Sequence, residues 1–172
     1  MGIRMVVRPH WILAVLALVG FVACSSSGTL TMKTPASQGI RPGSTVALSV
    51  EATATVSEAP KVVSRLRDRL YSKLLSEGIF RTVVPPTEPA DYRLEAKLTG
   101  AREVSTFARV MLGVMTGPNI AEMSVELRDM ASNRVVRAFE VAGHSASHPF
   151  SSEAGLEDAV REATEKIVEG LR

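Results

Sequence analysis

From Val46 onward the chain alternates. Val46, Leu48, Val50, Ala52 and Ala54 are separated by Ala47, Ser49, Glu51, Thr53 and Thr55. A period of two predicts a strand with one buried face. The period then changes: Ser57-Glu58-Ala59-Pro60 reads as a helix start, with Ser57 as the cap and proline tolerated in the first turn. Val63, Leu66, Leu70 and Leu74 follow at three- and four-residue steps, and Arg65, Arg67, Asp68, Arg69 and Lys73 lie mainly off that stripe. Gly78 is placed to close the helix.

Beyond it, Phe80 to Val84 predicts a short strand stopped by Pro85-Pro86. Tyr92, Leu94, Ala96 and Leu98 alternate with Arg93, Glu95, Lys97 and Thr99, and Ala121, Met123, Val125 and Leu127 with Glu122, Ser124, Glu126 and Arg128. Charges of both signs on the outward positions predict an antiparallel sheet with one wet face. Asp129 to Asn133 reads as a turn into a strand over Arg134 to Ala142. Ser151 or Ser152 caps a last helix with the stripe Leu156, Val160, Ala163, Ile167 and Leu171, and Glu153, Glu157 and Asp158 stand near its positive end. A sheet with one apolar face and two helices with one stripe each satisfy one another as two layers. The expected fold is α+β: a two-layer sandwich of about five mostly antiparallel strands with two helices on one face, in the order β-α-β-β-β-β-α.

The first 23 residues follow another rule. Met1 to His10 carries Arg4 and Arg8 and no acid, and Trp11 to Ala23 is uncharged and apolar apart from one glycine. This is the layout of a signal peptide, and the apolar run is shorter than the roughly 20 residues a membrane-spanning helix needs. Ordinary signal peptidase prefers small residues in an A-x-A arrangement, and Phe21 is bulky. The stretch Phe21-Val22-Ala23-Cys24 instead resembles the lipobox of bacterial lipoproteins, a family that usually has leucine where Phe21 stands. That resemblance implies a diacylglyceryl group on the Cys24 sulfur and Cys24 as first residue of the mature chain. The alternative is a secreted protein with an unused thiol. Non-acidic Ser25 and Ser26 imply, by the same analogy, sorting to the outer membrane, periplasmic side.

Cys24 is the sole cysteine, so an intrachain disulfide is excluded. Cleavage before it leaves 149 of the 172 residues, the size of one domain, and lowers Lys+Arg from 20 to 18 against 18 Asp+Glu. A neutral body without a basic stripe argues against nucleic-acid binding. The division expected is signal peptide 1–23, lipidated cysteine and flexible Gly/Ser tether 24–43 with Thr29 to Thr34 strand-like, and a single domain 44–172.

Leu66-x3-Leu70-x3-Leu74-x3-Gly78-x-Phe80-x2-Val83-Val84, followed by Ala90-Asp91-Tyr92-x-Leu94-x-Ala96-x-Leu98, resembles the N-terminal module of the curli secretion-channel lipoprotein and of the periplasmic Tol propeller protein. Arg109-x3-Gly113-x3-Gly117 with the strand Ala121 to Leu127 and Asp129 is similar to the bacterial lipoproteins of domain-of-unknown-function 4410 type. Nothing here is long enough to copy the channel's membrane-spanning hairpins.

Candidate chemistry is sparse. His144 and His148 are four apart, a spacing that places two ligands together on a helix, but Gly143, the serines and Pro149 disfavour helix. They read as loop histidines and no metal is expected. No G-x-S-x-G elbow occurs, and Asp91 reads as a turn residue rather than a general base. The interaction candidate is Arg109, Met111, Leu112, Gly113, Met115 and Gly117: methionines adapt to several shapes and glycine permits close approach. Val110 to Met115 reads first as a central strand of ordinary core residues, and second as a partner- or membrane-facing surface. The expected protein is a non-enzymatic lipoprotein without cofactor, held to the membrane by its lipid anchor. Its partner is an envelope protein or a second copy of itself. A carrier of apolar ligands between helices and sheet, and an enzyme with scattered catalytic residues, are the alternatives.

Overall fold

The structure, a computed structural model, describes residues 26–34, 39–53, 59–103, 117–145 and 152–172. The elements in chain order are β1 (Ser27–Thr34), β2 (Thr45–Ala52), α1 (Ala59–Ser76), β3 (Thr82–Val84), β4 (Tyr92–Arg102), β5 (Ile120–Asp129), β6 (Arg134–His144) and α2 (Ser152–Leu171). Six strands form one open mixed sheet in the order β1-β6-β5-β4-β2-β3. β1–β6, β6–β5 and β5–β4 are antiparallel, whereas β2 runs parallel to both β4 and β3. The α+β class and the sequence order after Ser44 are as expected.

The difference lies at the front. Ser27–Thr34 is a full strand whose residues pair with β6 from His144 to Ala138, so the strand-like run Thr29 to Thr34 within the stretch read as tether belongs to the sheet as its outer edge. In sequence it shows two large apolar residues, Leu30 and Met32. What it lacks in side chains it gains in fit. Gly28 pairs with Gly143, and a Cβ on Gly143 would sit 1.9 Å from the Ala159 carbonyl oxygen. A Cβ on Gly28 would sit 2.7 Å from Lys166 Cγ. Glycines on two neighbouring strands thus let α2 settle against the sheet's backbone.

Elsewhere the periodicities hold. Tyr92, Leu94, Ala96 and Leu98 are buried opposite Asp129, Leu127, Val125 and Met123. Leu156, Val160, Ala163, Ile167 and Leu171 are all buried on α2. On α1 the stripe starts one residue earlier than expected: Val62 is fully buried with Leu66, Leu70 and Leu74, and Val63 is half-buried at its margin. Gly78, at φ +64°, ends that helix in the left-handed conformation that glycine adopts without strain. Ser57, the expected cap, lies outside the described residues. β3 stops after three residues at Pro85, so the short stretch to Asp91 suffices to bring the chain back beside β2. Phe80, buried just before β3, meets Tyr92 with ring centroids 6.0 Å apart.

Candidate functional site

Most residues that the sequence singled out lie outside the described residues: Cys24, Arg109, Met111, Leu112, Gly113, Met115 and His148. Gly117 is described. It has φ +72°, and a Cβ there would meet the Arg102 guanidinium at 2.7 Å. His144 ends β6 on the strand's wet-face register, as a strand residue rather than the loop residue expected. Among the described residues no group of three or more His, Cys, Asp or Glu side chains is arranged to hold a metal ion. No described helix is long and apolar enough to cross a membrane.

Among the described residues, three polar constellations stand out. The first stands where the described chain begins. Ser26 Oγ donates to Glu162 Oε1 at 2.7 Å and accepts from an Arg161 guanidinium nitrogen at 2.7 Å. Arg161 also pairs with Asp158 at 2.5 Å. Beside it the β5 and β6 ends are latched: Asn119 N–H donates to Ser145 Oγ at 2.9 Å, and Ser145 N–H to the Asn119 carbonyl at 3.0 Å. Both residues are buried, so these bonds satisfy backbone groups that water does not reach. Arg102 donates to the Pro118 carbonyl at 2.9 Å. The level is set by register: Ser27 faces His144, His144 faces Ile120, and Ile120 faces Arg102. Four strand ends therefore share one edge of the domain.

The second lies at the opposite end. Arg41 donates to Tyr92 Oη and to Asp129 Oδ2, each at 3.2 Å, with its guanidinium carbon 5.1 Å from the Tyr92 ring centre. The Tyr92 hydrogen bond raises the Arg41 pKa, with Asp129 and Asp91 adding to it. Asp129 Oδ1 accepts from Ser132 N–H at 2.8 Å and from Ser132 Oγ at 3.1 Å, and the backbone bond is the first cause holding its carboxyl below the ordinary aspartate value. Asp91 Oδ2 accepts from Thr45 N–H at 2.8 Å, and the Asp91 carbonyl accepts from Met130 N–H. Each carboxylate here ties strand ends together, which agrees with the turn reading of Asp91.

The third is an open groove of about 540 Å³ on the outer side of the helices. Glu157 pairs with Arg65 at 3.1 Å and with Arg69, and Lys73 pairs with Glu165 at 2.9 Å and Glu77 at 3.0 Å. These cations lower the Glu157 and Glu77 pKa values, chiefly through the hydrogen bonds from Arg69 and Lys73 respectively. The groove is lined by charged and polar side chains, and among the described residues Leu66, Leu70, Leu94, Leu98 and Ile167 pack between helices and sheet, all essentially inaccessible. An apolar-ligand carrier would need room there.

Sequence reasoning missed Ser26, Arg161 and Glu162 as a unit because more than 130 positions separate the serine from its partners. It also missed Arg137, which is buried next to the β6 bulge and donates to the Val136 carbonyl at 3.1 Å. Glycines at 28 and 143 were the available signal that β1 and α2 approach closely.

Residues 29–149 match the family model described as a domain of unknown function, DUF4410. The chain belongs to this family. No curated protein matches it. The DUF4410 chain is similar in fold to PelC from Paraburkholderia phytofirmans, crystallised as a dodecamer in two space groups. Identities are 19% and 18% and TM-scores 0.56 and 0.55, over 84% of this chain and 97% of that one. It is also similar to protein XCC0632 from Xanthomonas campestris, of family-model DUF330, at 12% identity and TM-score 0.54, over 80% of this chain and 86% of that one. At these identities the likeness is one of fold.

Proposed function

We propose that this DUF4410 chain is a lipid-anchored lipoprotein of the bacterial outer membrane, periplasmic side, whose domain binds or helps assemble another envelope component without catalysing a reaction. The observation that carries the reading is the one cysteine at position 24, standing directly after a short uncharged apolar run that follows a basic stretch. Two or three acyl chains on Cys24 would hold the protein firmly, since each buried methylene contributes about 0.8 kcal/mol. In the described residues, the carboxylates and cations of the three constellations are engaged with one another across strands and helices, an arrangement suited to holding shape. Arg109, Met111, Leu112, Gly113, Met115 and Gly117 are the proposed contact residues. Self-association is the partner class with support, because PelC, with the same fold, is crystallised as a dodecamer.

Two measurements test this. Labelled palmitate should enter the wild-type protein and not Cys24→Ser, and Cys24→Ser should leave the membrane fraction; unchanged fractionation without label would overturn the anchor. Crosslinking in native membranes with mass-spectrometric identification should return a repeatable envelope partner or a second copy. A reproducible absence of both counts against the assembly role.

A further inference from the structure

A flexible tether of about 20 residues would wander over ~25 Å and leave the domain free to tumble above the membrane. The fold allows no such freedom. Ser26 is held from two sides by Glu162 and Arg161, Ser27 is paired with His144, and Gly28 lies under α2 where a Cβ would collide. Between Cys24 and Ser26 stands a single residue, Ser25. Two peptide steps reach about 7 Å at most.

Resting on the lipid-anchor reading of Cys24, we propose that the domain stands directly on the bilayer, with the sheet end carrying Ser27, Arg102, Ile120 and His144 against the lipid headgroups and the strands upright. The occupant of this edge is a lipid surface, and the reason is the two-residue sequence distance from Cys24 to Ser26 and the place at which Ser26 is held. Ser26 is held at one edge by Glu162 and Arg161, and register puts the ends of β4, β5 and β6 at the level of Ser27. The edge is built to keep its shape, through the Asn119–Ser145 latch and the Arg102–Pro118 bond. The Arg41–Tyr92–Asp129 end lies ten residues further along β4, about 33 Å away at the usual strand rise. It therefore points into the periplasm.

The test uses the full mature lipoprotein in phosphatidylethanolamine/phosphatidylglycerol vesicles that carry a headgroup spin label. With the Cys24 sulfur occupied by lipid, Glu103→Cys and Ala131→Cys each offer one free thiol for a fluorophore, both at exposed positions. Quenching should be several-fold stronger at 103 than at 131, and a Gly/Ser insert of about 12 residues after Cys24 should erase the difference. If Glu103→Cys fails to fold, Thr29→Cys reports from the same end. Equal quenching, or stronger quenching at 131, in protein that carries palmitate overturns the orientation and leaves the anchor standing. Absence of palmitate with unchanged fractionation of Cys24→Ser overturns both.

Discussion

The two helices bury similar stripes against different floors. α1 sets Val62, Leu66, Leu70 and Leu74 onto a floor of long side chains that includes Leu48, Phe80 and Leu94. α2 brings Ala159 and Ala163 down onto Gly143, close enough that the helix backbone touches the strand, and Gly170 onto the Phe139 ring. One interface works by filling volume and the other by removing it. The two should therefore fail in opposite ways. Large-to-small change should hurt under α1, and small-to-large change under α2.

Leu70→Ala carries the largest expected loss, roughly 2–5 kcal/mol, because Leu70 is completely buried and the residues around it have other partners to hold them in place. Denaturant unfolding followed by circular dichroism measures it; a loss below 1 kcal/mol would mean the floor under α1 collapses to refill the space. Gly143→Ala should cost about 3 kcal/mol, at the upper end for overpacking, since the atoms a methyl would strike are backbone and cannot rotate away. Its signature is local. Amide exchange should rise in β1 and α2 while α1 stays protected, and uniform exchange would contradict a defect confined to that interface.

This contrast also marks how far the sequence could be read. Strands β2, β4 and β5 and both helices announce themselves because each has one apolar face, β6 through the turn before it, and burial follows the period of two residue by residue from Tyr92 to Leu98. β1 carries a fainter signal, enough to read Thr29 to Thr34 as strand-like but not to place them in the sheet. Its inward positions are Gly28, whose contribution is the absence of a side chain, and Leu30. The parallel pairing of β2 with β4 is likewise a property of connection, set by where Pro85 stops β3, and alternation alone does not distinguish it from antiparallel pairing. The one-residue error at Val62 and Val63 arises because both valines continue a three- or four-residue step to Leu66. Ser26 with Arg161 and Glu162 was beyond any local pattern, being made by the strand and helix that the two glycines bring together.

A smaller effect separates the two ends of the sheet. Asp129→Asn keeps an acceptor for Ser132 N–H but removes the charge facing Arg41, so the turn between β5 and β6 should persist while the stretch from Arg41 to Thr45 loosens. Asp129→Ala removes both and should loosen the turn as well. Hydrogen exchange at Ser132 and Thr45 distinguishes them: Thr45 should respond to either variant and Ser132 to alanine alone. Ser26, at the far end, should keep its contacts in both.

The smallest effect belongs to the outer ladder between the helices, where the pairs are exposed and the Arg69–Glu157 coupling should be about 0.2–1 kcal/mol. An Arg69→Ala/Glu157→Ala double-mutant cycle reads one of them, and molar salt should shrink it. Acid should act on the same contacts. Glu157 and Glu77 have folded-state pKa values below their ordinary ones, so their stabilisation is present above the unfolded carboxylate range and is lost as pH falls through the lowered folded-state values. The helix layer should therefore open more readily in acid than at neutral pH. The Gly143 contact contains no titrating group, so the cost of Gly143→Ala should be the same at both pH values. If that cost instead fell with pH in step with the ladder, the two interfaces would be coupled through α2, and α2 would have to lift from the sheet whenever it parts from α1.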